Sequence, residues 1–396
     1  MKNLQASRIH DDNDRISCID EIPDDIDERA GRANQNDIRQ PPRYYLGSLK
    51  VGLATSTALI IFQCSNFSLR WSVASSASSI RTLEKKDKPL CTRSQIRVGR
   101  WVAATYDRLP YPHLNSPNGS SSSSWETYDW KVRDEEECQF TEWSNDEFCA
   151  LTANQTLLFV GDSLMREQYT DVVRRFGVNT TMNEMFHGDD RPALCQEGST
   201  HTYLRFRLER APNNPKRMMS NWNFDGAVIV VNEGIHYLPD DQFIAFLDRL
   251  LSWLNHWQDT APACQAQDKS GKSSCLAIWK TSVPGHPNCW NFTQPTTNVT
   301  EMEALVANSA LYTSTDEYEK YGWWAMKHQN RIAEQKFAES NLTYAIMDAY
   351  DLQILRPDQH TDCLHNQEMT KQLVLGQMLL HLLKTRDRGL SYEDGQ

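Results

Sequence analysis

The chain has 396 residues, of which 39% are hydrophobic and 10% aromatic, so most of it can form a buried core. Its formal net charge of −11 at pH 7 argues against nucleic-acid binding, because a phosphate backbone is neutralised by a basic surface. The sequence contains no zinc-finger spacing, Walker loop or Gly-rich dinucleotide fingerprint. We therefore expect a globular protein with no nucleic-acid partner and no bound cofactor.

The N-terminal region differs in composition from the rest of the chain. Residues 1–50 are rich in Asp, Glu and Arg and almost lack apolar runs, which predicts a disordered tail. Residues 51–69 are free of charge and close to the length of about 20 residues that spans a bilayer. We predict that this segment is an uncleaved transmembrane signal anchor. The alternatives are a cleaved signal peptide with a long N-terminal region and a buried helix.

Basic residues flank this apolar segment unequally. Arg39, Arg43 and Lys50 precede it closely, whereas only Arg70 follows it closely. The positive-inside rule then places the tail in the cytosol and the bulk of the chain in the lumen. We expect a single-pass type II membrane protein that contacts the membrane through this one helix.

Two further features fit an oxidising lumen. Beyond the anchor the chain has an even number of cysteines suited to disulfide bonds: Cys91, Cys138, Cys149, Cys195, Cys264, Cys275, Cys289 and Cys363. N-glycosylation sequons in the same region occur at Asn118, Asn154, Asn179, Asn291, Asn298 and Asn341. Together these features predict entry into the secretory pathway.

The luminal part begins with irregular segments. Residues 70–90 are rich in Ser and Lys and read as a stem, and residues 116–124 form a Ser-rich flexible loop. We interpret residues 91–150 as a lead-in or cap segment and not as an independent domain. Its tryptophans are expected to belong to the core.

From Thr156 onward, short apolar runs alternate with amphipathic stretches. The runs TLLFVG, GAVIVV, CLAIWKT and TYAIMDAY predict buried strands, and LMREQYTDVVRRFG, DQFIAFLDRLLSWLNHW and TKQLVLGQMLLHLLK predict helices. This alternation predicts an α/β fold with a mainly parallel sheet covered on both faces. In such sheets the reactive groups gather at the carboxyl ends of the strands.

The first candidate site, Gly161-Asp162-Ser163, lies at the turn between the first of these strands and a helix. A nucleophilic serine needs a tight turn that exposes Oγ, and a helix N-terminus can stabilise a developing oxyanion. Gly161 permits such a turn. The alternative is an ordinary loop in which Asp162 or Ser163 caps the helix.

The second candidate, RPDQHTDCLH, follows the last predicted strand. Asp362 and His365 are three residues apart, a spacing that brings carboxylate and imidazole together in a turn. A carboxylate that accepts from Nδ1–H leaves Nε2 free to take the proton of a serine. One alternative is a structural polar turn. The other is a metal site built from Asp358, His360, Asp362 and His365. We expect no metal, because Cys363 is better explained as half of a disulfide.

The third candidate, VVNEGIHY, follows the second predicted strand. Asn232 could lend an amide and Gly234 a backbone N–H to an oxyanion hole, with His236 near the pocket. A purely structural turn explains each of these residues equally well. WKTSVPGHPNCW, residues 279–290, is expected to line the same end of the sheet.

Taken in order, these segments resemble the PC-esterase family, the trichome-birefringence-like group of SGNH/GDSL-type proteins. The similarity extends from Cys91 to the last predicted helix, roughly three quarters of the chain. CTRSQIRVGRWV resembles the family's opening Cys and Gly-x-Trp-Val element, and Trp130 with Cys138 resembles its Trp-then-Cys segment. LLFVGDSLMREQ, VVNEGIHY and DCLH resemble its Val-Gly-Asp-Ser, Asn-x-Gly-His and Asp-Cys-x-His blocks.

The resemblance implies a three-layer α/β/α SGNH-hydrolase-like catalytic domain over residues 91–390. It implies that Ser163 is the nucleophile, His365 the base and Asp362 its orienting partner. The residues expected to contact the oxyanion or the substrate are Asn232, Gly234, His236, Gly161 and Asp162. No metal is expected at the site.

The implied reaction is double displacement through an acyl-serine. We expect a glycan or polysaccharide O-acetyltransferase of the Golgi membrane, whose co-substrate is an acyl donor, expected to be an acetyl donor. The alternatives are a carbohydrate O-acetyl esterase, in which water replaces the sugar hydroxyl, and a non-catalytic glycan-binding protein. Asn366-Gln-Glu-Met stands where plant members have Trp-Cys-Leu-Pro-Gly, so a plant polysaccharide is not carried over as the acceptor.

The resemblance also informs the disulfide pairing. It implies a Cys91–Cys138 bridge in the lead-in segment. Cys289 and Cys363 lie on loops after the third and fourth predicted strands, and they can bridge if those strands are neighbours. Cys264–Cys275 is then expected as a local bridge, and Cys149–Cys195 by elimination.

Overall fold

The computed structural model describes residues 88–106, 125–178, 193–197, 200–208, 224–234, 239–265, 275–311, 322–360, 362–365 and 373–388. The chain divides into two units, 1–80 and 81–396, and all of the described residues lie in the second. The predicted tail and anchor, and almost all of the predicted stem, therefore lie outside the described residues. Among the residues described, no helix is both long and apolar enough to cross a membrane.

Strands form two sheets in the described part of the chain. In chain order they are β1 (Gly99–Tyr106), β2 (Trp125–Val132), β3 (Thr156–Gly161), β4 (Ala193–Glu197), β5 (Thr200–Leu208), β6 (Val228–Asn232), β7 (Leu276–Lys280) and β8 (Tyr344–Met347). β1 and β2 pair antiparallel, and the other strands form one sheet in the order β4-β5-β3-β6-β7-β8. All neighbours in that sheet are parallel except β4 and β5.

The central strands are fully buried, as expected for a parallel sheet covered on both faces. Every residue of β6 and β7 is buried, and so is every residue of β3 after Thr156. Each of the four apolar runs forms a strand, although the strand within GAVIVV begins at Val228 rather than at Gly226. The prediction of a mixed α/β fold with a mainly parallel sheet is confirmed.

Helices cover both sides of this sheet. The α-helices described are α1 (Arg93–Arg97), α2 (Asn145–Leu151), α3 (Ser163–Arg175), α4 (Asp240–Thr260), α5 (Pro262–Gln265), α6 (Val299–Ala307), α7 (Met326–Ala338), α8 (Ala349–Gln353) and α9 (Leu373–Asp387). Short 3₁₀ turns span Cys289–Asn291, Asn308–Leu311, Trp323–Ala325 and Pro357–Gln359. α3 packs against α9, and α4 packs against α7. The three predicted helices correspond to α3, α4 and α9.

The lead-in segment packs on the α/β core. The Arg93 guanidinium donates to both carboxylate oxygens of Asp348, at 2.8 and 2.7 Å, directly after β8. Trp101 Nε1 donates to the carbonyl of Leu352 at 3.0 Å. Trp130 is buried, and Trp101 is partly buried against the same core. These contacts tie residues from α1 and the β1–β2 sheet to the carboxyl end of β8.

Four disulfide bonds connect the described residues, and all four have the expected pairing. They are Cys91–Cys138, Cys149–Cys195, Cys264–Cys275 and Cys289–Cys363. Four bridges in one domain fit a secreted or luminal protein.

Candidate active site

Ser163 lies at the first position of α3, directly beyond the carboxyl end of β3. Gly161 has φ 154°, and a Cβ there would lie 2.0 Å from the carbonyl oxygen of Asn232 on the neighbouring strand β6. Only glycine therefore fits the turn as it is built. After β3 the chain adds β5 on one side of it and then β6 on the other, so the turn lies where the strand order reverses. Open α/β sheets bind their ligands in the crevice at such a point.

Asp162 caps the helix that carries the serine. Its Oδ1 accepts a hydrogen bond from the N–H of Leu164 at 2.9 Å, and its side chain is fully buried. The capping role that the sequence offered as an alternative thus belongs to Asp162. Ser163 is left with its Oγ directed at another partner.

That partner is His365, and the three expected triad residues form one hydrogen-bonded chain. Ser163 Oγ lies 2.7 Å from His365 Nε2, and His365 Nδ1 lies 2.7 Å from Asp362 Oδ2. Because a carboxylate accepts, Nδ1 carries the proton and Nε2 is the acceptor for the serine hydroxyl. The fold thus brings Ser163 to His365, which lies 202 residues further along the chain, whereas Asp362 and His365 are only three residues apart.

Asp362 is held as a carboxylate despite its partial burial. Burial tends to raise the pKa of Asp362, but hydrogen bonds from the backbone N–H and the imidazole of His365 outweigh it and lower the pKa below its usual value. Asp362 Oδ1 accepts from the N–H groups of His365 and Leu364 at 2.6 and 3.0 Å. Charge on this group stabilises the imidazolium that forms when His365 takes a proton.

The acid–base half of the site is a surface loop. The Asp362 side chain is 51% exposed and that of His365 is 30% exposed. Cys363, between these two residues, attaches the loop to the segment after β7. It forms a disulfide bond with Cys289, and its carbonyl accepts a hydrogen bond from the N–H of His286 at 2.8 Å. As β7 and β8 are adjacent, the loops that follow them lie side by side, as the disulfide prediction required.

Asn232, the last residue of β6, lies beside Gly161 of the serine turn, and Gly234 follows it in the chain. Asn232 is buried, and its amide Nδ2 donates to the carbonyl of Lys280 at 2.9 Å and to Ser282 Oγ at 3.1 Å. A Cβ on Gly234 would lie 2.0 Å from the same Ser282 Oγ. Both residues thus connect β6 to the loop after β7. An oxyanion role for the Asn232 amide stays a prediction and requires the exchange of one of these bonds.

Some of the remaining predicted site positions lie within the described residues and others lie outside them. His236 lies outside the described residues, as do the sequons at Asn118 and Asn179. The other sequon asparagines, Asn154, Asn291, Asn298 and Asn341, are exposed.

The residues considered for a metal site are engaged with other partners. Asp358 pairs with Arg356 through two hydrogen bonds of 2.9 and 3.0 Å, and His360 Nε2 lies 2.6 Å from His286 Nδ1. Within the segments that the structure describes, no group of three or more His, Cys, Asp and Glu side chains could hold a metal ion.

Lys280 is a neighbour of the Ser163 turn that the sequence did not single out. It ends β7, is buried, and donates from Nζ to the carbonyl of Leu164 at 3.3 Å in the first turn of α3. Burial lowers the pKa of Lys280 to about 8, against the opposing effect of the Asp162 and Glu167 carboxylates. A lysine at the end of an apolar run was the available signal, but nothing local indicated its burial.

Comparison of the chain with models of known protein families and with curated protein sequences finds no match. The assignment of a function therefore rests on the site itself and on the ordered motifs.

Proposed function

We propose that this protein is a serine-dependent O-acyl-transferring enzyme, and specifically an O-acetyltransferase acting on a glycan. The observation that carries the proposal is the continuous hydrogen-bonded chain Ser163–His365–Asp362 at the carboxyl ends of parallel strands. A buried structural serine does not require an imidazole whose other nitrogen is held by a carboxylate. The same arrangement activates serine nucleophiles on several unrelated folds.

In the first half of the reaction, Ser163 Oγ attacks the carbonyl carbon of the acyl donor while His365 Nε2 takes the hydroxyl proton. The tetrahedral oxyanion forms at the N-terminus of α3, whose backbone dipole favours negative charge. The imidazolium then returns the proton to the departing oxygen of the donor. An acyl ester of Ser163 remains, and Asp362 stays ionised throughout.

In the second half, a hydroxyl group of the acceptor gives its proton to His365 Nε2 and attacks the acyl carbon. Ser163 Oγ leaves and takes the proton back, which restores the resting site. With a sugar hydroxyl as acceptor the product is an O-acetylated glycan, whereas with water the enzyme is an esterase. The partly exposed side chain of His365 can be reached by either acceptor.

The choice of a glycan acceptor rests on the resemblance of the ordered motif blocks to the PC-esterase family. The luminal features point the same way, since a domain with four disulfides and exposed sequons suits the compartment where glycans are modified. We accordingly propose a type II protein of the Golgi membrane, anchored by residues 51–69. If the full chain were released by carbonate extraction and unaffected by glycosidase, this topology would be wrong.

The enzymatic proposal is tested with full-length protein made in a secretory host and solubilised in detergent. The protein is incubated with 4-nitrophenyl acetate, with and without a panel of oligosaccharides, beside the Ser163→Ala variant. Acetylated sugar that depends on Ser163 is the expected result, whereas Ser163-dependent acetate alone identifies the esterase. Sugar binding without release of 4-nitrophenol above the Ser163→Ala level contradicts both and identifies a glycan-binding protein.

A further inference from the structure

His286 is a buried residue in the loop after β7, and it contacts the segment that leads into the triad at three points. Its Nε2 lies 2.9 Å from the carbonyl of Ile354, and its Nδ1 lies 2.6 Å from His360 Nε2. Its backbone N–H donates to the carbonyl of Cys363 at 2.8 Å. One residue therefore holds both the start of this segment and the triad loop itself.

The hydrogen-bond partners determine the protonation of the pair. A carbonyl can only accept, so His286 Nε2 carries a proton and Nδ1 of the neutral ring accepts from His360 Nε2–H. The two rings lie 4.8 Å apart. Burial lowers the pKa of His286 to about 4. Burial and the electrostatic effect of His286 also lower the pKa of His360. The pair is thus uncharged at neutral pH.

His360 extends this connection toward the catalytic residues. His360 lies two residues before Asp362 in the chain, so the hydrogen bond from its Nε2 to His286 restrains the start of the triad loop. The side chains of Asp362 and His365 are bonded to each other and to the backbone of their own loop. Their position relative to Ser163 therefore depends on what fastens that loop to the rest of the fold.

We infer that His286, acting through His360 and the Cys363 carbonyl, is a positioning residue that sets the place of Asp362 and His365 relative to Ser163. The inference rests on the proposed function, since it assigns His286 a part in the same site. A misplacement of catalytic groups by about 1 Å can cost on the order of a hundredfold in rate. His286 is thus expected to affect turnover without touching the substrate.

His381 supplies a matched control within the same chain. It is also fully buried, and its Nδ1 lies 2.9 Å from Thr141 Oγ1 while its Nε2 lies 2.9 Å from the carbonyl of Cys91. Burial lowers its pKa to about 4, as for His286. It differs in what it holds, since its partners belong to the lead-in segment and not to the triad loop.

The test compares His286→Phe, His286→Asn and His381→Phe in the full-length protein. Phe keeps the ring volume and removes both side-chain hydrogen bonds, whereas Asn keeps an amide near the Nδ1 position and its bond toward His360. We measure kcat and KM for 4-nitrophenyl acetate, the rate of labelling by a serine-directed phosphonate, and hydrogen exchange of the peptide that contains Asp362 and His365.

For His286→Phe we expect kcat and the labelling rate to fall by about tenfold or more, with KM nearly unchanged. His286→Asn should recover part of this loss, and the control should change kcat by less than about twofold. Hydrogen exchange near His365 should rise in His286→Phe and stay at the wild-type level in the control. Should His286→Phe fail to fold, His286→Leu, which also lacks both side-chain hydrogen bonds, carries the same comparison.

Equal losses of kcat in His286→Phe and His381→Phe would overturn the inference, and so would unchanged exchange near His365. A wild-type protein that neither turns over the ester nor reacts with the phosphonate defeats the proposed function instead. In that case the exchange measurement still decides whether His286 fixes the loop, because it does not depend on catalysis.

Discussion

The two halves of the candidate site are built in different ways. Ser163 follows a buried strand, and its turn is fixed by the contact of Gly161 with Asn232 and by the buried cap of Asp162. Asp362 and His365 lie on a half-exposed loop fastened by the Cys289–Cys363 bridge and by His286. Ser163 is positioned by the sheet, whereas Asp362 and His365 are positioned by cross-links between distant parts of the chain. Damage to the turn that carries Ser163 should disturb folding, and damage to what fastens the Asp362–His365 loop should lower activity beyond its effect on stability.

Removing the reactive groups themselves should have the largest effect. Ser163→Ala and His365→Ala should each lower turnover of 4-nitrophenyl acetate by about 10⁴-fold or more, because the two act as a unit. Asp362→Asn should also be severe, since it favours the wrong imidazole tautomer. The thermal midpoint should change little for any of them, as measured by calorimetry. Near-normal activity of Ser163→Ala would contradict the mechanism.

Removal of the disulfide bond in the second half distinguishes its role in placing the triad loop from its contribution to stability. Replacement of Cys289 and Cys363 by Ala opens a loop of sequence separation 74, which the chain-entropy estimate values at about 4 kcal/mol. The matched control replaces Cys264 and Cys275, separated by 11 residues, at about 3 kcal/mol. Chemical unfolding should show similar losses of stability in both variants.

Only the Cys289–Cys363 variant should lose most of its activity below the unfolding transition, because only that bridge holds the triad loop. Equal activity of the two disulfide variants at equal folded fraction would show that the bridge does not position His365. The two disulfide variants should therefore differ in activity while their stabilities are comparable.

Acid pH should weaken the fold through the buried histidines. His286 and His381 have pKa values of about 4 in the folded protein, against 6.5 for an unperturbed histidine. Between these values the unfolded chain binds more protons, so stability falls as the pH drops from about 6.5 to about 4. The loss is roughly 3 kcal/mol for a histidine such as His381, at about 1.4 kcal/mol per pH unit.

Urea unfolding at a series of pH values checks this dependence. His381→Gln removes one titrating group and should give a shallower decline of stability between pH 6.5 and 4. A decline as steep as in the wild-type protein would mean that His381 is not neutral in the folded state.

Altering the turn of the first half should have a smaller but definite effect on folding. Gly161→Ala adds a Cβ that meets the Asn232 carbonyl, and we expect a loss of about 2 kcal/mol from overpacking and strain. Gly177→Ala, at a residue with φ 74° just after α3, is the control and should cost about 1 kcal/mol. Thermal unfolding of the two variants measures the difference. A cost at Gly161 no larger than at Gly177 would show that the turn adjusts.

The parts of the fold that the sequence predicted are those where local pattern and burial agree. β3, β6 and β7 are continuous apolar runs because both of their faces are covered, and the helix beginning at Ser163 is preceded by a capping Asp162. α7 was not predicted, since MKHQNRIAEQKFA is mostly polar and two of its buried residues, Gln329 and Asn330, are polar, which weakens the apolar pattern. β5, which pairs with β3, and β4, the edge strand beyond β5, also escaped prediction.

The site residues also divide into those that the sequence identified and those that it did not. Ser163, Asp362 and His365 were identified because each belongs to a short motif at the end of a predicted strand. Lys280 and His286 could not be assigned a role, because each acquires its contacts only when distant segments pack over it. A buried charge and a paired buried histidine have no local signature in a sequence. Such residues require the tertiary structure.

The central claim is that Ser163 is an activated nucleophile, and covalent labelling tests it most directly. The full-length protein is treated with a serine-directed phosphonate, digested and analysed by mass spectrometry. We expect one adduct on the peptide that contains Ser163, which is absent in Ser163→Ala and forms far more slowly in His365→Ala. A wild-type protein that remains unmodified, or one that is modified at another serine, would contradict the account.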